Sequence, residues 1–236
     1  MVSGTQAWKM DNLFKKKKKY LYLITPSELL TKNLSLKWYL VILNKVLKTK
    51  KIKFLQLRLK NKSEEEILNA LKKISLICKK YKTIFFINDF ANEKILKFCD
   101  GVHLGQKDIS KNKVNRIISN KKFLGITCHN SKSFVKKAMN FKPNYVSFGS
   151  FFNTKTKKTK FKATIRNINW FKKNFDLPCV AIGGISSENC KKIVESECDL
   201  LAVSSGVWSF KKGPVEAVNL FNEILNKKKW KYRQMK

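Results

Sequence analysis

Eight short apolar, β-rich runs alternate along this chain with polar stretches of helical period. The runs are Tyr20–Thr25, Ile52–Leu59, Thr83–Asp89, Gly101–Gly105, Phe123–His129, Tyr145–Phe151, Pro178–Ile185 and Leu200–Val207. They are nearly continuous in apolar residues, as strands of a parallel sheet buried on both faces require. The clearest helical stretch is Ser63–Tyr81, which carries Ile67, Leu71, Ile74, Cys78 and Tyr81 on one face. Ser63 caps it, and Glu66 three residues later completes a capping box. Further helices are predicted near 36–49, 92–99, 111–119, 131–141, 164–174, 187–197 and 214–227. Eight β units alternating with eight helices predict an α/β chain folded as a single (β/α)8 TIM barrel, with a doubly wound sheet as the main alternative. The barrel spans 20–226. Residues 1–19 lack periodicity and read as a disordered basic extension, and 227–236 read as a basic tail.

The apolar runs are far too short to span a bilayer. Lysines 15 to 19 before Tyr20–Ile24 faintly mimic a signal peptide. The apolar part is too short, however, and Pro26-Ser27-Glu28 follows without a small-residue cleavage site. A cytoplasmic protein without membrane contact is expected. The six cysteines (78, 99, 128, 179, 190, 198) form no CxxC pair and sit mostly in apolar segments, which suits reduced core thiols better than a zinc site or disulfides.

The formal net charge is +35, from 51 Lys and Arg against 16 Asp and Glu. Only four of the cations are arginines (58, 116, 166, 233), whereas dedicated nucleic-acid surfaces use the bidentate fork of arginine as well. The lysines spread over every predicted helix, as a coding bias filling solvated positions would place them. No specific nucleic-acid partner is expected, although the field would attract polyphosphates. Where lysine is the default cation, Arg58 at an alternating strand position suggests that a planar fork is needed, as in binding phosphate oxygens.

Barrel active sites gather at the C-terminal ends of the strands. The second run places Gln56, Arg58 and Lys60 on one face of a period-two strand, pointing into the mouth. The third ends in Asn88-Asp89, and Gln106 and Asp108 follow the fourth. Asp89 and Asp108 could share a hard cation such as magnesium, or each could simply cap the next helix. The fifth run offers Thr127 and His129. The sixth runs into Thr154-Lys155-Thr156-Lys157, the seventh into Gly183-Gly184 and the eighth into Ser204-Ser205-Gly206. Loops after strands seven and eight of a barrel often cradle phosphate. The residues thus predict two anionic ends. Arg58, Lys60, Lys157 and two carboxylates suit a diphosphate with magnesium, and a backbone nest suits a monophosphate. Such a site implies a displacement in which pyrophosphate departs.

The motifs QLRLK, INDF, GVHLGQKD, GITCHNS, YVSFGSFFNTKTK, VAIGGI and LAVSSGVW, in that order, resemble the thiamine phosphate synthase family over residues 20 to about 220. The resemblance implies a barrel that joins hydroxymethylpyrimidine diphosphate to hydroxyethylthiazole phosphate, or its carboxylated form, and releases pyrophosphate. Gln56, Arg58, Lys60, Asn88 and Thr127 would bind the pyrimidine diphosphate, Thr127 keeping the hydroxyl of the family's usual serine. Asp89 and Asp108 would hold Mg2+. Thr154 and Thr156 would close over the substrates on the thiazole phosphate side, and Lys157 would reach the diphosphate. Gly183, Gly184, Ser204 and Ser205 would hold the thiazole phosphate. Arg58 and Lys157 would act in catalysis by helping pyrophosphate leave. Two departures are Leu59, where many members carry an acid, and Asn153, where proline is usual.

Two other readings compete. Thiazole tautomerase shares the barrel and needs only the thiazole phosphate end; His129 is its natural catalytic candidate, against a structural role at a strand end. A basic nucleic-acid-binding protein would show DNA binding that falls steeply with salt, but the aromatics are dispersed and form no stacking platform. The oligomeric state is open, a homodimer included.

Overall fold

A computed structural model describes residues 18–154 and 160–227. Eight parallel strands close into a barrel in sequence order: β1 (Tyr20–Ile24), β2 (Phe54–Leu57), β3 (Ile84–Asn88), β4 (Gly101–Leu104), β5 (Phe123–His129), β6 (Tyr145–Gly149), β7 (Cys179–Ile182) and β8 (Leu200–Val203). The helices are α1 (Leu36–Lys48), α2 (Glu64–Tyr81), α3 (Glu93–Leu96), α4 (Lys111–Ser119), α5 (Lys132–Met139), α6 (Ile165–Asn174), α7 (Lys191–Glu195), α8 (Ser205–Trp208) and α9 (Pro214–Asn226). Every predicted strand and helix is present. The predicted extension over 1–19 and the tail over 227–236 lie almost wholly outside the described residues.

Local chemistry sets the helix starts. Ser63 Oγ accepts from Glu66 N–H at 3.2 Å, and the Glu66 carboxylate accepts from Ser63 N–H at 2.9 Å, which closes the predicted capping box. Asn92 caps α3 and Ser110 caps α4 through their side chains. Neither Asp89 nor Asp108 therefore serves as a helix cap. The eighth run does not stay extended to Val207: β8 stops at Val203 and Ser205 opens α8. Trp208 on that turn donates its indole N–H to Ile24 O at 2.6 Å and so ties α8 to β1.

The barrel interior has two zones. Toward the N-terminal ends of the strands it is filled by Tyr22, Phe54, Phe86, Phe123 and Tyr145, all buried. Two inward-facing glycines make room for these rings. A Cβ at Gly101 would lie 2.4 Å from the Phe86 ring, and one at Gly125 would lie 2.1 Å from the Tyr145 ring. Toward the C-terminal ends the inward positions turn polar: Gln56, Asn88, His103, Thr127 and Ser147. The larger apolar core lies outside the sheet, between strands and helices, and takes in all six cysteines, which are free and buried. No described helix is long and apolar enough to cross a membrane.

Candidate active site

The C-terminal mouth of the barrel encloses a cavity, and most of the predicted residues line it. Gln56, Arg58, Asn88, Asp89, Asp108 and Thr127 form one wall. Thr154, Gly183, Gly184, Ser204 and Ser205 form the other. Parallel strands that all start at the same end of a barrel bring their last residues to one rim, whatever their distance in sequence.

Three predicted residues stand apart. Thr156 and Lys157 lie outside the described residues. Lys60 is exposed and is not part of the cavity wall. The period-two argument that placed it beside Gln56 and Arg58 requires an extended strand, and β2 ends at Leu57. Arg58 still faces inward because its backbone is pinned to β1: its N–H donates to Thr25 Oγ1 at 2.9 Å, and its carbonyl accepts from the same hydroxyl at 3.3 Å.

The two aspartates converge above Gly105. A Cβ placed on Gly105 would sit 2.9 Å from Asp108 Oδ2 and 3.6 Å from Asp89 Oδ1. Asp89 adopts a left-handed backbone, φ 67°, a conformation that an L side chain holds only where its surroundings over-determine it. Its N–H donates to His103 O at 2.9 Å, and its carboxylate accepts from Gly105 N–H at 3.0 Å and from the Asn88 side chain. Burial pushes the Asp89 carboxyl above the usual carboxylate range. The Gly105 N–H opposes this, the neighbouring Asp108 pushes it up further, and Arg58 draws it down. Burial in turn lowers the Arg58 guanidinium, which Asp89 partly restores. Two carboxylates held against repulsion, neither used as a cap, form a donor set that fits a hard divalent cation.

Across the cavity, Gly183 and Gly184 have φ 104° and 64°. A Cβ at Gly184 would come within 2.3 Å of Asn153 O. The turn after β7 therefore admits only glycine, and its backbone is left open to the mouth. The Ser204 hydroxyl donates to Thr25 O at 3.1 Å, bracing the end of β8 to the end of β1, so its one proton is used within the protein. Gln106 does not line the cavity; its amide donates to Thr127 O and ties the ends of β4 and β5 together. His129 reaches the cavity with φ 51° and stacks on Phe161, ring centroids 4.2 Å apart.

Sequence reading overlooked His103. It lines the cavity at 6% exposure, bonded through Nδ1 to Tyr145 Oη at 2.9 Å and through Nε2 to Thr127 Oγ1 at 2.8 Å. Burial, with the Arg58 charge second, holds its pKa down at about 3, so the ring is neutral at physiological pH. The signal was available: His103 is two residues after the inward-facing Gly101, so the strand period points it into the barrel.

Fold and cavity together define a (β/α)8 barrel enzyme working at the C-terminal mouth of its strands. Comparison with known proteins narrows the class. The chain belongs to the thiamine monophosphate synthase family, whose sequence pattern matches residues 21–207. It is 42% identical over 202 residues to the thiamine-phosphate synthase of Pelagibacter ubique (strain HTCC1062), covering 85% of this chain and 95% of that one. It is 36% identical over 170 residues to the thiamine-phosphate synthase of Rhodospirillum centenum (strain ATCC 51521 / SW), covering 72% and 82%. Among solved structures, thiamine phosphate pyrophosphorylase from Pyrococcus furiosus superposes with a TM-score of 0.73 at 23% identity, covering 89% of this chain and 96% of that one. Orotidine 5'-phosphate decarboxylase from Pyrococcus horikoshii OT3 shares the fold at a TM-score of 0.63 and 12% identity. These relationships do not favour the tautomerase or the nucleic-acid reading.

Proposed function

We infer that this enzyme is a thiamine phosphate synthase that couples hydroxymethylpyrimidine diphosphate to hydroxyethylthiazole phosphate, or to its carboxylated form with loss of CO2, and releases pyrophosphate. The observation that carries the reading is one cavity with two anion-binding walls: Arg58 beside the Asp89–Asp108 pair on one side, the Gly183-Gly184 turn and the start of α8 on the other. Those walls suit a diphosphate and a monophosphate on two different substrates.

Asp89 and Asp108 would hold Mg2+, which when bound offsets the negative charge of the diphosphate and of the departing pyrophosphate. Arg58 binds diphosphate oxygens through its fork and, with Lys157, stabilises the charge that grows on the leaving group. The bond from the pyrimidine methylene carbon to oxygen breaks, its electron pair leaves with pyrophosphate, and the aminopyrimidine spreads the resulting positive charge. The thiazole nitrogen lone pair then forms the new carbon–nitrogen bond. The Gly183-Gly184 turn, with Ser204 and Ser205, holds the thiazole phosphate and so fixes the nitrogen for attack. No protein nucleophile is required. Six buried thiols and the absence of a described disulfide suit a reducing compartment, and we place the enzyme in the cytoplasm.

The test is a coupling assay with both substrates, with and without magnesium. Magnesium-dependent formation of thiamine phosphate and pyrophosphate is expected. No product from the folded protein would refute the reading.

A further inference from the structure

Thr25 follows β1 at the barrel mouth and bonds to residues of both cavity walls. It is 2% exposed and lines the cavity itself. Its N–H donates to Gln56 O at 3.0 Å, which carries the β1–β2 ladder one step past Ile24. In a regular parallel ladder the next two bonds would run from Arg58 N–H to the Thr25 carbonyl and from the N–H of Ser27 to Arg58 O. The chain turns at Ser27 instead, with Leu29 N–H on Pro26 O at 3.3 Å.

The Thr25 hydroxyl fills both places. It accepts the Arg58 N–H at 2.9 Å and donates its proton to Arg58 O at 3.3 Å. That leaves the Thr25 carbonyl for the Ser204 hydroxyl at 3.1 Å. One residue earlier, Ile24 O accepts the Trp208 indole N–H at 2.6 Å. The α8 turn and its N-cap thus rest on two successive carbonyls at the end of β1, while the Thr25 side chain carries Arg58. Only a hydroxyl can accept and donate at one atom here; valine has the same shape and does neither.

We propose that Thr25 is a positioning residue that sets the spacing between the two anion-binding walls, its hydroxyl holding Arg58 and its carbonyl holding Ser204. The proposal rests on the two-substrate reading given above. Each wall holds its own substrate, whereas the coupling rate depends on how the thiazole nitrogen faces the methylene carbon. Moving one wall against the other by about 1 Å costs up to about 100-fold in rate, while each substrate still finds its own wall. Loss of the link should therefore show in kcat before it shows in KM.

Three variants and one exchange measurement test this. Thr25→Val keeps the shape and removes the hydroxyl. Its kcat should fall about tenfold or more, with a smaller change in KM for either substrate. Thr25→Ser returns the hydroxyl and should recover most of the lost kcat. Ser204→Ala cuts the link at the other wall and should lower kcat with little change in KM for the thiazole phosphate. A wild-type kcat in Thr25→Val, a Thr25→Ser variant as slow as Thr25→Val, or a rise in KM for the thiazole phosphate as the main effect of Ser204→Ala overturns the proposal. If Thr25→Val does not fold, Ser204→Ala decides. The clamp is also read without substrates: in the ligand-free wild type the Arg58 amide should exchange with deuterium as slowly as the amides of β2. Fast exchange would overturn the proposal even in an active enzyme. A folded wild type that couples nothing would overturn the functional reading instead, and a slow Arg58 amide would still mark the clamp as present.

Discussion

Asp89→Asn should stabilise the metal-free protein while damaging the enzyme. Both carboxylates approach one point above Gly105, within 4 Å in each case. At a separation of about 5 Å and an effective dielectric near 20, two unit charges repel by about 3 kcal/mol. Solvent at the half-open mouth screens this to about 1 kcal/mol. Asparagine keeps an oxygen for the Gly105 N–H and offers an amide donor to Asp108, while the Asn88 amide, which donates to the other Asp89 oxygen, must turn its own oxygen toward the new amide. The variant should therefore gain about 1 kcal/mol in chelator, raising Tm by about 2–4 °C for a chain of this size. The folded-state pKa of Asp89 is raised, so the ionised carboxylate disfavours the fold as pH rises through that value. Below about pH 4 the group is protonated in both states and the difference should vanish. Activity should move the other way. A unit charge missing opposite a dication is worth at least about 3 kcal/mol at the same dielectric, or about 100-fold in the magnesium needed for half-maximal rate. Thermal unfolding in chelator between about pH 4 and 8, with a magnesium titration of the coupling assay, checks both halves. A variant less stable than the parent at neutral pH, or an unchanged magnesium titration, would refute the account of this carboxylate pair.

Arg58→Lys retains the charge and loses the fork, so kcat/KM should drop about tenfold or more while the unfolding transition barely moves; steady-state kinetics at saturating magnesium read this directly. Gly184→Ala forces a Cβ against Asn153 O at φ 64° and should destabilise the protein by about 2–4 kcal/mol, with KM for the thiazole phosphate rising more than KM for the diphosphate. Gly125→Ala drives a methyl into the Tyr145 ring; a loss of about 1–3 kcal/mol is expected in denaturant unfolding, and a neutral result would show that the aromatic floor can relax.

The barrel was legible because its signal is local. Apolar runs of strand length, helical periods such as Ile67–Leu71–Ile74–Cys78, and the Ser63–Glu66 capping box each need only their neighbours in sequence. Once eight such units are recognised, barrel closure brings residues at strand ends to one rim. Arg58, Asp89, Asp108, Thr127 and the Gly183-Gly184 turn could therefore be assigned to one site without a contact being seen. Elements whose fate depends on where a strand stops were less legible. A period of two puts Lys60 in register with Arg58, but β2 ends at Leu57. Ser205 lay inside a run of apolar residues yet begins a helical turn, held there by the Trp208 bond to Ile24 O. Capping by Asn92 and Ser110 settled what Asp89 and Asp108 are not used for, a question sequence left open. The sequence by itself determined the alternation, the barrel and the polar rim. Only the tertiary structure decided the run of hydrogen bonds from Gln56 through Tyr22, Tyr145 and His103 to Thr127. Tyr22 and Tyr145 are 123 residues apart and sit on non-adjacent strands. They meet because the sheet closes on itself, and the space that the Tyr145 hydroxyl fills exists only where Gly125 leaves the interior open.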